Sequence, residues 1–111
     1  FTVDEVPHLF PGTFHSCDLN DIMWHPDPCD VTTCFETLEH VEDPALLAVK
    51  ITITTKRAVF VSTPTVPTKQ GNQYHLHDFT VDEVPHLFPR LKVVDCWAQP
   101  EELSHVWHLE W

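Results

Sequence analysis

Apolar and polar positions along this chain fall into short blocks cut by prolines and acidic residues. Cys29–Phe35, CDVTTCF, is rich in β-branched residues and stops at a charged run, which predicts a buried strand. Residues 58–63, AVFVST, predict a second buried strand that Pro64 ends. LKVVDCW (91–97) and SHVWHLEW (104–111) predict two more, joined by a turn over 99–102. FHSC (14–17) is a shorter extended candidate ahead of the polar turn DLND (18–21), and the segment 23–30, with Pro26 and Pro28, reads as loop. Asp43 followed by Pro44 is a helix start, with aspartate as N-cap and proline at the first helical position. The helix continues through Val49, where ITITT (51–55) argues for a strand by its alternation. Its reading here is the end of the helix running into a turn. Residues 64–78 read as loop. Strand–helix–strand order with a short last turn predicts an α/β sheet with parallel members and an antiparallel final pair.

One segment occurs twice. FTVDEVPHLFP spans residues 1–11 and again residues 79–89, identical at every position, and the match stops sharply at Gly12 and Arg90. A solenoid repeats its whole unit and diverges gradually, so this is a single segment copied once. Locally it reads as a short helix. Thr2 and Thr80 are candidate N-caps, Asp and Glu occupy the first turn, and Pro7 and Pro85 limit it to about two turns.

Composition narrows the function classes. At 111 residues the chain has room for one compact domain. Six Lys+Arg against 17 Asp+Glu give a formal charge of -11, which opposes a broad nucleic-acid or anionic-membrane footprint. With 42% hydrophobic residues it is not a disordered acidic tail, and no apolar run approaches the ~20 residues of a membrane span. Asp4 and Glu5 stand where a secretory signal has basic residues, and the cysteines form no C-x-x-C pair, so the expectation is reduced thiols in the cytoplasm. His25, Cys29 and Cys34 fit no standard zinc spacing, and buried apolar cysteines are the simpler reading. There are only two glycines, Gly12 and Gly71, so these residues contain no glycine-rich phosphate or nucleotide loop.

Three separated stretches, CDVTTCFETLEHVEDPALLAV, KRAVFVSTP and NQYHLHDFTVDEVPHLFPRLKVV, occur in an order and spacing that resembles the C-terminal half of a class I S-adenosylmethionine-dependent methyltransferase. The nearest resemblance is to the type 11/12-like, small-molecule O-/C-methyltransferase branch, and it covers roughly residues 14–98. It implies a truncated Rossmann-like methyltransferase sheet, mixed through its antiparallel C-terminal strand pair, within a single partial domain over 1–111. It implies S-adenosylmethionine as cofactor and a small-molecule methyl acceptor. By the same resemblance, FHSCDLNDI matches the family's third strand and the aspartate after it. That makes Asp18 the partner of the adenine amino group, Leu19 the residue packed on the adenine ring, and Phe35 and Glu36 the residues at the carboxyl end of the fourth strand, the edge where ligands bind in open α/β sheets. The family sheet runs 3-2-1-4-5-7-6. These residues hold no counterpart of its first strand with the GxGxG loop or of its second strand, which leaves 4-5-7-6 contiguous. The exposed edge of the fourth strand is then an association hazard. The expectation is that it pairs with another chain, as in a homo-oligomer, or that the third strand moves beside it.

Two carboxylates and an imidazole in ETLEH carry the candidate chemistry. On a helical turn Glu36, Glu39 and His40 at i, i+3 and i+4 share a face and can hold Mg²⁺ or another hard divalent ion. Small-RNA 2′-O-methyltransferases use this stretch with a further histidine after the fifth strand, where this chain has His75 and His77. The set implied is Glu36, Glu39, His40 and His77, with the metal orienting an acceptor hydroxyl. The plainer reading makes the two glutamates solvated acids opening a helix, with His40 packing. His40 is also a candidate general base, since an imidazole's ordinary pKa of ~6.5 suits proton transfer near neutrality. Glu36 and His40 are thus the catalytic candidates. Beside a methyltransferase-like protein stand two alternatives: a non-catalytic binding or assembly module that keeps half of the fold, and a small Glu/His metal-binding domain.

Overall fold

The computed structural model describes residues 12–65, 76–100 and 103–111. The first copy of the repeat and part of the 64–78 loop therefore lie outside the described residues. The elements run β1 (Cys29–Phe35), a 3-10 turn (Leu38–His40), α1 (Pro44–Thr54), β2 (Thr55–Pro64), α2 (Glu83–His86), β3 (Lys92–Ala98) and β4 (Ser104–Glu110). β1 and β2 are parallel, joined through α1, while β4 lies antiparallel between β2 and β3, so the four-stranded sheet is ordered β1-β2-β4-β3. This is the mixed α/β sheet the sequence predicts, in the family's 4-5-7-6 order.

Alternation puts one apolar face inward. Cys34 of β1 is in register with Val61 of β2, which is in register with Trp107 of β4. Val59 and Leu109 continue that layer one pleat away, and Leu47, Ala48 and Ile51 of α1 complete the core with it. The opposite face is more open. Val31 and Phe35 are exposed there, and the half-buried Phe60 ring stacks on His108 at 4.4 Å. β3 forms an edge with only Cys96 half-buried, and a register shift between Val93 and Asp95 bends it, a device that blunts edge-to-edge association.

α1 begins as its sequence demands. Asp43 Oδ1 accepts the Leu46 N–H at 3.0 Å, with Pro44 at the first position. Asp43→Ala is expected to lower stability by about 1 kcal/mol through that unsatisfied donor, seen as a lower urea midpoint with unchanged slope. The helix runs through ITIT because packing overrides alternation. Ile51 is buried in the core, and the threonine hydroxyls bond back to carbonyls four residues earlier, Thr52 to Ala48 and Thr54 to Lys50, each at 2.7 Å. No turn separates α1 from β2, so the strand starts at Thr55, three residues before the predicted AVFVST.

Two expectations are corrected. FHSC takes no strand conformation, so no third strand moves beside β1, and no described residue pairs with β1's outer edge. A four-residue stretch with no neighbouring strand to complete its hydrogen bonds cannot hold an extended ladder. The second repeat copy forms one helical turn, Glu83–His86, rather than two, and its N-cap is Asp82 rather than Thr80. Thr80 still takes part at the start of the turn, donating its N–H to Glu83 Oε1 at 3.1 Å. Pro85 sits within the first turn, where its missing N–H breaks no bond. Among the described residues, no helix is long and apolar enough to cross a membrane.

Candidate functional site

The carboxyl ends of β1 and β2 and the start of β4 meet at one edge of the sheet, and Glu36 sits there. Its backbone is left-handed, with φ at 49°, a conformation that costs a non-glycine residue about 1–3 kcal/mol and persists only where its surroundings hold it. The neighbouring strands supply that hold. Glu36 N–H donates to the Ser62 carbonyl at 2.9 Å, Ser104 Oγ donates to Glu36 Oε1 at 2.7 Å, and Ser62 Oγ approaches Oε2 at 3.4 Å. Both serines are buried. The carboxylate is held at this end of the sheet by side chains of two strands, β2 and β4.

Next to it lies a cleft of about 280 Å³ lined by Leu19, Trp24, Pro26, the second half of β1, and α1. Leu19 and Phe35, separated by fifteen residues of loop and strand, both contribute to its walls. The loop that carries Leu19 is shaped by its own aspartates. Asp18 Oδ1 accepts the Asn20 N–H and Asp21 Oδ1 accepts the Met23 N–H, each at 2.9 Å, two Asx turns in succession. Lys50 anchors this loop to α1: its ammonium donates to the Asp21 carbonyl at 3.0 Å and lies 6.0 Å from the Trp24 ring centroid.

The proposed metal ligands do not converge. The left-handed turn at Glu36 interrupts the helical register on which a shared face depends, so the 3-10 turn starts only at Leu38 and sends Glu39 inward, 1% exposed, and His40 outward. Leu76 and His77 both donate their N–H groups to the Glu39 carbonyl, at 2.7 and 3.3 Å, which straps the loop onto this turn. His77 Nε2 donates to the Val41 carbonyl at 2.9 Å. Among the described residues no three His, Cys, Asp or Glu side chains are grouped to hold a metal ion. Of the residues expected from sequence, Leu19 and Phe35 meet in one cleft, Asp18 precedes Leu19 in the chain without lining it, and Glu36 follows Phe35 with its carboxylate bonded to Ser62 and Ser104. Glu39, His40 and His77 occupy three different environments.

No family model and no curated protein matches the sequence. Among solved structures, the chain is similar to magnesium protoporphyrin IX methyltransferase from Synechocystis PCC 6803 with bound SAH, at a TM-score of 0.69 and 12% identity over 96% of this chain. The chain has a methyltransferase fold. It spans 56% of the length of that enzyme's chain. At this identity the likeness concerns the arrangement of the methyltransferase sheet and its crossover helix.

Sequence reasoning missed four contributors to this edge. Ser62 lies in the Ser-Thr-Pro end of a recognised strand, so its position at the edge was legible, though its bond to Glu36 was not. Ser104, 68 residues from Glu36, carries no local signal. Trp24 sits in a loop just ahead of Pro26 and Pro28, and Lys50, only 8% exposed, carries no signal in the sequence of its burial. The four cysteines are free and differ in environment, with Cys34 buried, Cys29 and Cys96 half-buried and Cys17 exposed.

Proposed function

We propose that this chain is the acceptor-facing, adenine-binding half of an S-adenosylmethionine-dependent methyltransferase of the type 11/12-like, small-molecule O-/C-methyltransferase branch. The observation that carries the reading is the meeting of Leu19 and Phe35 in one cleft beside the ligand-binding edge of a methyltransferase-type sheet. An apolar slot with Trp24 in its wall suits a planar heteroaromatic ring. Asp18, already oriented by its Asx turn, is next in the chain to accept an exocyclic amino group. When bound, the cofactor supplies a methyl group on a sulfonium that is itself a good leaving group, so the protein's share is alignment. In this reading Glu36, fixed by Ser62 and Ser104, orients the acceptor, and exposed His40 takes the acceptor's hydroxyl proton onto its ring nitrogen. The chain's net charge of -11 favours a small-molecule acceptor over a nucleic acid.

Calorimetric titration of S-adenosylmethionine into the purified chain tests this. Saturable heat below millimolar cofactor is the expected result. Asp18→Ala is expected to weaken binding about tenfold, the equivalent of one good hydrogen bond. A flat titration at millimolar cofactor removes the reading for this chain.

A second reading rests on the outer edge of β1, which no described residue pairs and which carries exposed Val31 and Phe35. There the chain is a non-catalytic module whose edge adds to the sheet of another chain. Concentration-dependent sedimentation together with no cofactor heat distinguishes it from the first.

A further inference from the structure

The second copy of the repeat shows what the sequence FTVDEVPHLFP does against this sheet. Phe79, Val84 and Phe88 are 8%, 0% and 1% exposed, all within the core formed by α1 and the inward face of β2 and β4. Leu87 packs against the same cluster from its edge. The segment's own polar bonds close locally. Thr80 N–H reaches Glu83, Leu87 N–H reaches the Val84 carbonyl, and Phe88 N–H reaches the Pro85 carbonyl, the last two at 3.0 Å. Docking is therefore by apolar side chains whose identities are written entirely inside the eleven residues.

Residues 1–11 repeat all eleven. Phe1, Val6, Leu9 and Phe10 stand where Phe79, Val84, Leu87 and Phe88 stand, and Glu5 and Pro7 repeat the residues that shape the turn. A slot selected by these side chains has no means of telling one copy from the other within the segment. Only the flanks differ. The resident copy continues into Leu91, 9% exposed and part of the core, whereas the first copy continues into Gly12 and Thr13. That flank keeps residues 79–89 in place when both copies are intact.

We propose that the apolar slot beside α1, on the inward sheet face, is a binding site for residues 1–11 of the same chain, which enter it when residues 79–89 leave. The segment is a built-in spare for the helix that covers the core. Exchange also extrudes 79–89 and frees the loop before it and the start of β3. Displacing the resident copy thus alters the sheet edge without uncovering the core.

Four full-length chains test this: the parent, Val6→Asp, Val84→Asp and the double variant. An aspartate at the deepest position of a copy disqualifies that copy from the slot, because an unpaired charge cannot be buried there. Val6→Asp is expected to melt with the parent. Val84→Asp is expected to keep a cooperative transition, about 5–10 °C lower, because residues 1–11 take over without the Leu91 anchor. The double variant is expected to show no cooperative transition. Loss of the transition in Val84→Asp alone, or equal melting of Val84→Asp and the double variant, overturns the proposal. The melting temperature of Val84→Asp is expected to stay constant over a hundredfold dilution. A rise with concentration assigns the slot to a second copy's segment and overturns the same-chain assignment.

Discussion

Trp107→Ala is expected to remove about 3–5 kcal/mol of stability, a large part of the ~5–15 kcal/mol that holds a domain folded. Trp107 is 1% exposed and is the largest fully buried side chain among the described residues. It lies on β4, the strand that joins the parallel pair to the edge strand, in register with Val61 on one side and Cys96 on the other. Truncation to alanine leaves a void beneath α1 that cannot collapse, because two sheet ladders fix its walls. The loss is expected as a lower urea midpoint at unchanged slope, and at the upper end of the range as a chain unfolded without denaturant. The exposed edge residue Trp97, 43% accessible, is the control, and Trp97→Ala is expected to cost under about 1 kcal/mol. Similar midpoints for the two variants would show that the sheet is not organised around β4.

The sheet was legible because each strand is short and β-branched or aromatic, with the first stopped by a charge and the second by a proline. CDVTTCF is a strand over its full length, AVFVST lies within Thr55–Pro64, LKVVDCW is a strand shifted to Lys92–Ala98 and SHVWHLEW one from Ser104 to Glu110, and the Asp43–Pro44 start was read from capping chemistry alone. What failed had a tertiary cause. ITIT carries a strand's alternation, yet the covered core beneath Ile51 and the threonine back-bonds hold it helical. FHSC has strand-forming residues but no partner strand, and pairing decides extended structure more than propensity does.

The site divides the same way. Leu19 and Phe35 were placed by resemblance and meet in one cleft, while the Glu36–Glu39–His40 face was drawn from helical spacing and failed on one dihedral angle. No glycine or asparagine marks Glu36 as left-handed. The conformation is imposed by Ser62 and Ser104, from strands far away in sequence, and such constraints leave no mark near the residue they act on. The strap from Leu76 and His77 to the Glu39 carbonyl is likewise a main-chain feature that side-chain spacing does not encode.

Alkaline pH is expected to destabilise the fold through Cys34. Burial pushes its thiol up from the ordinary 9.0 to about 11, a hydrogen bond with Thr37 pulls it back somewhat, and the nearby Glu39 charge raises it further. Below pH 9 the thiol is protonated whether the chain is folded or not, and it contributes no slope. Between about 9 and 11 the unfolded chain gives up this proton and the folded chain keeps it, so folding stability falls by ~1.4 kcal/mol per pH unit and by roughly 2–3 kcal/mol in all. Above 11 both states are ionised and the loss is complete. Cys96 is raised in the same direction by burial and by Asp95, but it lies half in solvent on the edge strand and adds little. The informative quantity is a difference between chains. Cys34→Ala is expected to be less stable at pH 8, from the small cavity it leaves, and to lose less stability than the parent between pH 9 and 11. The two stability curves then converge as pH rises. The same burial is expected to make Cys34 the last thiol to react with iodoacetamide and exposed Cys17 the first. Parallel curves for parent and Cys34→Ala across that window, or early alkylation of Cys34, would place the thiol at the surface and contradict its position against Val61 in the core.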